Sequence, residues 1–222
     1  MHMIKLDKRL QAVADFVPPQ ARLADIGSDH AKIPIYLLEN GRIEFAVAGE
    51  VVRGPFEIAQ RNTADFPEIK VRLADGLAAV QLEDKIDTIV IAGMGGLLIA
   101  DILNADPAKL AAVKRLILQP NNEEESLRHW LTQHQFKIAD ERILESKGKI
   151  YELILAEPGQ QEISQEEAKF GIYLRKTEIF QKKWQQRLAE IIKVLGLLPE
   201  KQSVEREKLL AEKSQIEKVL KS

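Results

Sequence analysis

A chain of 222 residues that is 45% hydrophobic and 30% charged can bury a full core, which excludes wholesale disorder. It contains no cysteine, so disulfides, thiolate metal ligands and a cysteine nucleophile are excluded, and a reducing, cytoplasmic setting is the simplest fit. The formal net charge of -2 gives no warning of a polyanion partner.

The opening segment "IKLDKRLQAVADFV" (4–17) predicts an amphipathic helix covering one end of a sheet, with Lys8 and Arg9 near a site mouth. It lacks the apolar core of a signal peptide, and the most apolar run, "TIVIAGMGGLLIA" (88–100), is too short to span a bilayer. No membrane association is expected. Strands are predicted at 22–27, 44–50, 69–75, 86–92 and 113–119, alternating with helices near 31–41, 53–65, 96–105 and 123–134. Such alternation means a doubly wound parallel sheet. Two further β-like runs, "FKIADERILES" and "GKIYELILAEP", follow closely, with a hairpin-type connection at Lys147-Gly148-Lys149. The expected fold is therefore α/β, a Rossmann-like seven-stranded sheet closed by an antiparallel hairpin, in the arrangement of methyltransferases.

Pro158-Gly159 is expected to end this first domain, 1–159. The remainder, 160–222, opens with Ser164 and Glu167 in capping-box spacing. Apolar residues recur at 170, 174, 180, 184, 188, 191, 195 and 198. Pro199 interrupts them, and Leu209, Ile216 and Leu220 follow on one face. This predicts an antiparallel, coiled-coil-like helical hairpin. It is mildly basic, at +3 against -5 for the rest. Its charges read either as a solvated face or, through Lys176, Lys182, Lys183 and Arg187, as contacts to a phosphate backbone.

Ligands of an open parallel sheet bind beyond the carboxyl ends of its strands. Three predicted strands end in acid. Asp25-Ile26-Gly27 follows the first. Glu50 ends the second, where a carboxylate can accept from both ribose hydroxyls. Asp75-Gly76 follows the third, placed to read an adenine edge. An adenosine ligand is implied, and NAD, FAD and S-adenosylmethionine all contain one. A dinucleotide needs G-x-G-x-x-G so that its diphosphate can meet bare backbone. Here only Gly27 stands, and Asp29 would set negative charge against phosphate. S-adenosylmethionine carries a sulfonium cation and no phosphate, so the charge favours the methyl donor.

Several stretches together resemble a known family: "ADIGSDHA" (24–31), "AGEVVRGPFEIAQ" (48–60), "DTIVIAGMGG" (87–96), "LILQPN" (116–121) and "YELILAE" (151–157). They are similar to the bacterial tRNA (adenine-N1) methyltransferases that modify position 22, the TrmK family. The resemblance implies methyl transfer from S-adenosylmethionine to N1 of an adenine in the D-arm region of tRNA, with tRNA as the partner and no metal. Lys32 stands where relatives are expected to carry an aromatic residue. A monomer is the default expectation. A small-molecule or protein methyltransferase, or a noncatalytic RNA- or partner-binding protein with a nucleoside-sensing domain, remains the alternative.

Ser28-Asp29-His30 contains the residue types of a hydrolase triad, but sequence neighbours point apart and triad members converge from separate loops. Ser28 or Asp29 is expected to cap the helix beginning near Ala31. Adenine N1 needs no general base. A fixed carboxylate could stabilise the charge moving onto the purine, and Asp29 is the candidate. Asn121 either presents its amide to the base or caps the following helix. The donor bed is expected to include Asp25, Gly27, Ser28, His30, Glu50, Val51, Asp75, Gly76, Ala92, Gly93 and Met94. The expected substrate contacts are Lys5, Lys8, Arg9, Arg53, Gly95, Gly96, Lys176, Lys183 and Arg187. "AGMGG" either lets ligand approach bare backbone or is a tight strand-to-helix turn.

Overall fold

The computed structural model describes residues 4–175, 177–198 and 204–221; Lys176, one of the expected phosphate contacts, lies outside them. Seven strands form one sheet: β1 (Ala21–Ile26), β2 (Ile43–Glu50), β3 (Ile69–Leu73), β4 (Thr88–Met94), β5 (Arg115–Pro120), β6 (Phe136–Ser146) and β7 (Lys149–Pro158). Their order is β3-β2-β1-β4-β5-β7-β6. The first five are parallel, and β7 runs antiparallel to both β5 and β6. This is the expected hairpin-closed sheet.

The central strands read as they do because helices cover both faces, so apolar runs replace alternation. Leu23, Ala24, Val47, Val90, Ile91 and Leu118 are all buried. In register, Ile26 pairs with Gly49, so β2 carries Glu50 one residue past the end of β1. At the far side of β4 the pairing slips between Ala92 and Met94, where Gly93 adopts φ +83°. The order reverses between β1 and β4, the crevice where such sheets take ligands.

Helices α1 (Lys8–Phe16), α2 (Lys32–Glu39), α3 (Arg53–Asn62), α4 (Gly96–Asn104) and α5 (Glu124–Gln133) correspond to the predicted ones, trimmed at their ends. The Asp7 carboxylate caps α1 by accepting from Leu10 N and also accepts from Lys147 Nζ at 2.9 Å, fastening the helix to the β6–β7 turn. Two expected caps are absent. Residue Ala31 precedes α2 in a left-handed conformation with no side-chain cap, so neither Ser28 nor Asp29 fills that role. Glu123 precedes α5 in the same way, and Asn121 does not cap it.

The chain divides into two compact units, 1–171 and 172–222. The boundary falls later than Pro158-Gly159 because a short helix, α6 (Gln165–Phe170), belongs to the first unit. Its Ser164–Glu167 capping box forms as expected. The buried Arg128 of α5 holds α6 by donating to Ala168 O at 2.9 Å, and pairs with Glu141 of β6 and Glu152 of β7 at 2.7 and 2.5 Å. The expected unbroken seam from 170 to 198 is interrupted, because Gly171 leaves helical geometry at φ +80°. The second unit contains α7 (Glu178–Leu197) and α8 (Val204–Val219). Arg187 pairs with Glu212, and Arg206 bonds the carbonyl of Leu195, which makes the two helices antiparallel. No helix among the described residues is long and apolar enough to cross a membrane.

Candidate active site

After β1 the chain must turn sharply into α2. The turn hangs on one carbonyl: Gly27 N and Ser28 N both donate to Gly49 O, at 2.9 and 3.3 Å. Asp29, His30 and Ala31 follow with φ of 45°, 76° and 61°. Three successive non-glycine residues in the left-handed region constitute stored strain of the sort that marks working sites. The surroundings hold them there. His30 N donates to Glu50 Oε1 at 3.4 Å, and His30 O accepts from Asn62 Nδ2 of α3 at 3.1 Å. His30 thus enters the site first through its backbone, fixing the Glu50 carboxylate.

Under the turn lies a polar floor with unmet demand. Asp25 and Ser28 are buried, and Asp25 Oδ2 and Ser28 Oγ have no hydrogen-bond partner. Burial pushes the Asp25 carboxyl up to about 7; the Glu50 and Asp29 carboxylates add to the shift and Arg9 offsets it. Glu50 is raised as well, mainly by burial, with the His30 N–H acting against it. Asp29 is the opposite case. It is 59% exposed, and the Lys32 ammonium at 2.9 Å holds its carboxyl below the ordinary range. The position expected to be aromatic thus supplies the counter-ion of Asp29.

Beside this floor is a small apolar pocket lined by Ile26, Gly27, Gly49, Val51, Ala74, Asp75, Gly76, Met94, Leu98 and Ile102. It joins the ends of β1, β2, β3 and β4. The Met94 methyl lies where a Gly27 side chain would project, and a Cβ on Gly49 would sit 2.9 Å from that of Ala79. A buried carboxylate oxygen and a buried hydroxyl, neither with a partner, lie beneath a cradle floored by glycine and fit a ligand that brings a cation and hydrogen-bonding groups. The Asp25 carboxylate does not fit a diphosphate. Asp25, Gly27, Ser28, His30, Glu50, Val51, Asp75, Gly76 and Met94, all expected in the donor bed, are brought together here.

The opposite wall is the β4–β5 edge. Asn121 N donates to Met94 O at 2.8 Å and Asn121 Nδ2 to Gly93 O at 2.7 Å, binding the two loops into one wall. A Cβ on Gly96 would strike the carbonyl oxygen of Glu123, and Gly96 N bonds Asn122 O at 3.0 Å. Gly96 is therefore a packing glycine buried under the neighbouring loop, rather than the expected point of substrate approach. Arg9 reaches this wall from α1, while Lys5, Lys8 and Arg53 are exposed. In the second unit Arg187 is engaged by Glu212 at 2.9 Å, and Lys183 Nζ lies 5.3 Å from the Trp184 ring centre. Sequence reasoning missed Gln119, which is buried between Arg9 and Asn121. It reads as the end of an apolar strand, and only its place in "LQPN" sets it apart.

The family model for tRNA (adenine(22)-N(1))-methyltransferase, TrmK, matches residues 23–221. The chain belongs to the TrmK family. The tRNA (adenine(22)-N(1))-methyltransferase of Bacillus subtilis (strain 168) is 42% identical over 199 residues, covering 85% of this chain and 83% of that protein. A Streptococcus pneumoniae structure described as a candidate tRNA (m1A22) methyltransferase in complex with S-adenosyl-L-methionine superimposes with a TM-score of 0.91 at 45% identity, covering 97% of this chain and all of that one. TrmK of M. capricolum, solved with S-adenosyl-homocysteine, gives a TM-score of 0.90 at 26% identity over 99% of both chains. The TrmK fold thus extends over both compact units.

Proposed function

We propose that the carboxyl edge of the sheet holds S-adenosylmethionine against an adenine of tRNA, with Asp29 and Asn121 serving the reaction. The chain is an S-adenosylmethionine-dependent tRNA (adenine(22)-N1) methyltransferase. The observation carrying the division of labour is the pairing of an anionic bed at β1–β2 with a glycine-and-amide wall at β4–β5. When bound, the donor supplies an electrophilic methyl carbon on a cationic sulfur.

Asp25, Gly27 and Ser28 hold the amino-acid part of the donor, and Asp25 gains the cationic partner that its burial demands. Glu50, steadied by His30, accepts the ribose hydroxyls. Val51, Asp75 and Gly76 flank the donor's adenine, and Ala92, Gly93 and Met94 close the side toward the substrate. The target base must leave its stack to reach this depth. Its N1 lone pair is available near neutral pH, so neither a general base nor a metal is required. Asp29, kept ionised by Lys32, stabilises the positive charge that arrives on the purine. Lys32 also tempers that field, so Asp29 contributes as one part of a balanced pair. Asn121 meets the base edge from the opposite wall. Lys5, Lys8, Arg53, Gly95, Lys182 and Lys183 contact the tRNA, the lysines and Arg53 through its phosphates. The enzyme works in the cytoplasm as a monomer.

The test is incubation of the protein with unmodified tRNA and methyl-labelled donor, followed by mass mapping of the modified nucleoside. Label is expected at N1 of adenine 22, with Asp29→Asn slowing turnover about tenfold or more while donor affinity stays within about twofold. Label in no RNA, or at the exocyclic amine, overturns the reading. Lost donor affinity with unchanged turnover would move Asp29 from the base to the donor.

A further inference from the structure

We propose that Gln119 is a positioning residue which, backed by Arg9, fixes the direction of the Asn121 amide and thereby selects adenine through its N6/N7 edge. This rests on the functional reading above.

Gln119 is fully buried at the end of β5. A buried amide must place one acceptor and one donor group, and its neighbours decide which way round. Arg9 Nη1 lies 2.5 Å from Gln119 Oε1, and a guanidinium can only donate, so the oxygen must face it. Gln119 Nε2 is then left to donate to Pro120 O at 2.8 Å and to Asn121 Oδ1 at 3.1 Å. With its oxygen receiving that bond, Asn121 turns Nδ2 to Gly93 O at 2.7 Å. The polarity therefore runs one way, from Arg9 through Gln119 and Asn121 to Gly93. Reversing the Gln119 amide would oppose donor to donor or acceptor to acceptor at three points, and reversing Asn121 at two. Arg9 is itself placed by a ring: its guanidinium lies 5.6 Å from the Tyr151 ring centre.

Asn121 is exposed at the wall and keeps one unused lone pair on Oδ1 and one unused N–H on Nδ2. That acceptor–donor pair is what asparagine uses to grip N6 and N7 of adenine. The grip leaves the N1 edge free to face the donor. Guanine presents two acceptors, O6 and N7, at the same edge, and would set O6 against the Asn121 oxygen.

The test compares two tRNA transcripts, one natural and one with 7-deazaadenosine at the target position, which keeps N1 and N6 but lacks the N7 acceptor. At saturating S-adenosylmethionine the wild-type enzyme is expected to lose about tenfold or more in kcat/KM on the deaza transcript. Gln119→Glu still accepts from Arg9 but meets Asn121 with acceptors alone. It should lose about tenfold in kcat on natural tRNA, keep donor and tRNA Kd within about twofold, and no longer distinguish the two transcripts. Equal wild-type rates on both transcripts overturn the proposal, as does a Gln119→Glu enzyme that retains the wild-type ratio. Should that variant fail to fold, as read by circular dichroism, the wild-type comparison of transcripts decides alone. Absence of N1 methylation on natural tRNA by the wild-type enzyme instead defeats the functional reading, and this inference with it.

Discussion

Asp25 sits in an unusual environment for a carboxylate: it is buried, has one oxygen without a partner, and is pushed up to about 7 from 3.8. Between those values the folded, ligand-free protein holds a proton that the unfolded chain has released. Asp25 therefore contributes stability that is complete below about pH 4 and fades as pH rises through 7. A cationic donor favours the ionised form, so donor binding near neutral pH should release a proton. Donor affinity is then expected to fall as pH drops below 7, by at most about tenfold per unit, and Asp25→Asn should flatten that profile. Calorimetry in two buffers of different ionisation heat measures the released proton directly, and an unchanged proton count in the variant would remove Asp25 from the donor site. The acids at the strand ends were legible in the sequence because an open parallel sheet says where ligands must sit. The strained run Asp29-His30-Ala31 was not, since neither histidine nor alanine announces a positive φ. It exists because Gly49 O, Glu50 and Asn62 grip the turn from distant parts of the chain.

Between elements, the decisive residue is one that local patterning hides. Arg128 sits in the "SLRHWL" stretch of a helix whose inner positions are otherwise apolar, yet it is buried, joining α5 to β6, β7 and α6. Burial alone would make its charge easier to lose; Glu152 and Glu141 more than reverse that, holding it above the ordinary arginine range. Removing one member of such a cluster leaves buried charge uncompensated, whereas replacing all members with apolar groups need not. Arg128→Leu should therefore cost about 3–5 kcal/mol. The triple change R128M/E141L/E152L should recover most of that loss, with urea unfolding midpoints as the measure. A single variant within about 1 kcal/mol of wild type would mean the cluster is not what secures the hairpin. The same contact explains why the domain boundary was misplaced from sequence. Pro158-Gly159 is a strong local stop, but a guanidinium thirty residues upstream in the chain draws α6 into the first unit. The doubly wound sheet and its hairpin closure, by contrast, follow from strand–helix alternation and a tight connection at Lys147-Gly148, which are local signals.

Over the entire molecule, charge is arranged by sign and not by total. The first unit sets Asp25 and Glu50, both raised by burial, where the donor is proposed to sit, while the tail from Gln160 onward is the basic part, at +3. Net charge hid this arrangement, and the sequence suggested tRNA only through its family resemblance. Of the basic side chains expected to meet phosphate in the second unit, Arg187 pairs with Glu212 and joins α7 to α8, and the proposal keeps Lys182 and Lys183 of the same helix. Each phosphate contact releases condensed counterion, so its loss lowers the dependence of log affinity on log salt by nearly one unit. The double change K182E/K183E is thus expected to weaken tRNA binding about tenfold or more at moderate salt and to reduce that slope by about one to two. Donor affinity should be untouched, because the donor bed lies wholly within the first unit. Filter binding across a salt series together with donor calorimetry separates the two effects. If tRNA affinity and slope both stay at wild-type values, the hairpin's lysines have no part in phosphate binding, and the exposed Lys5, Lys8 and Arg53 of the first unit become the next side chains to test.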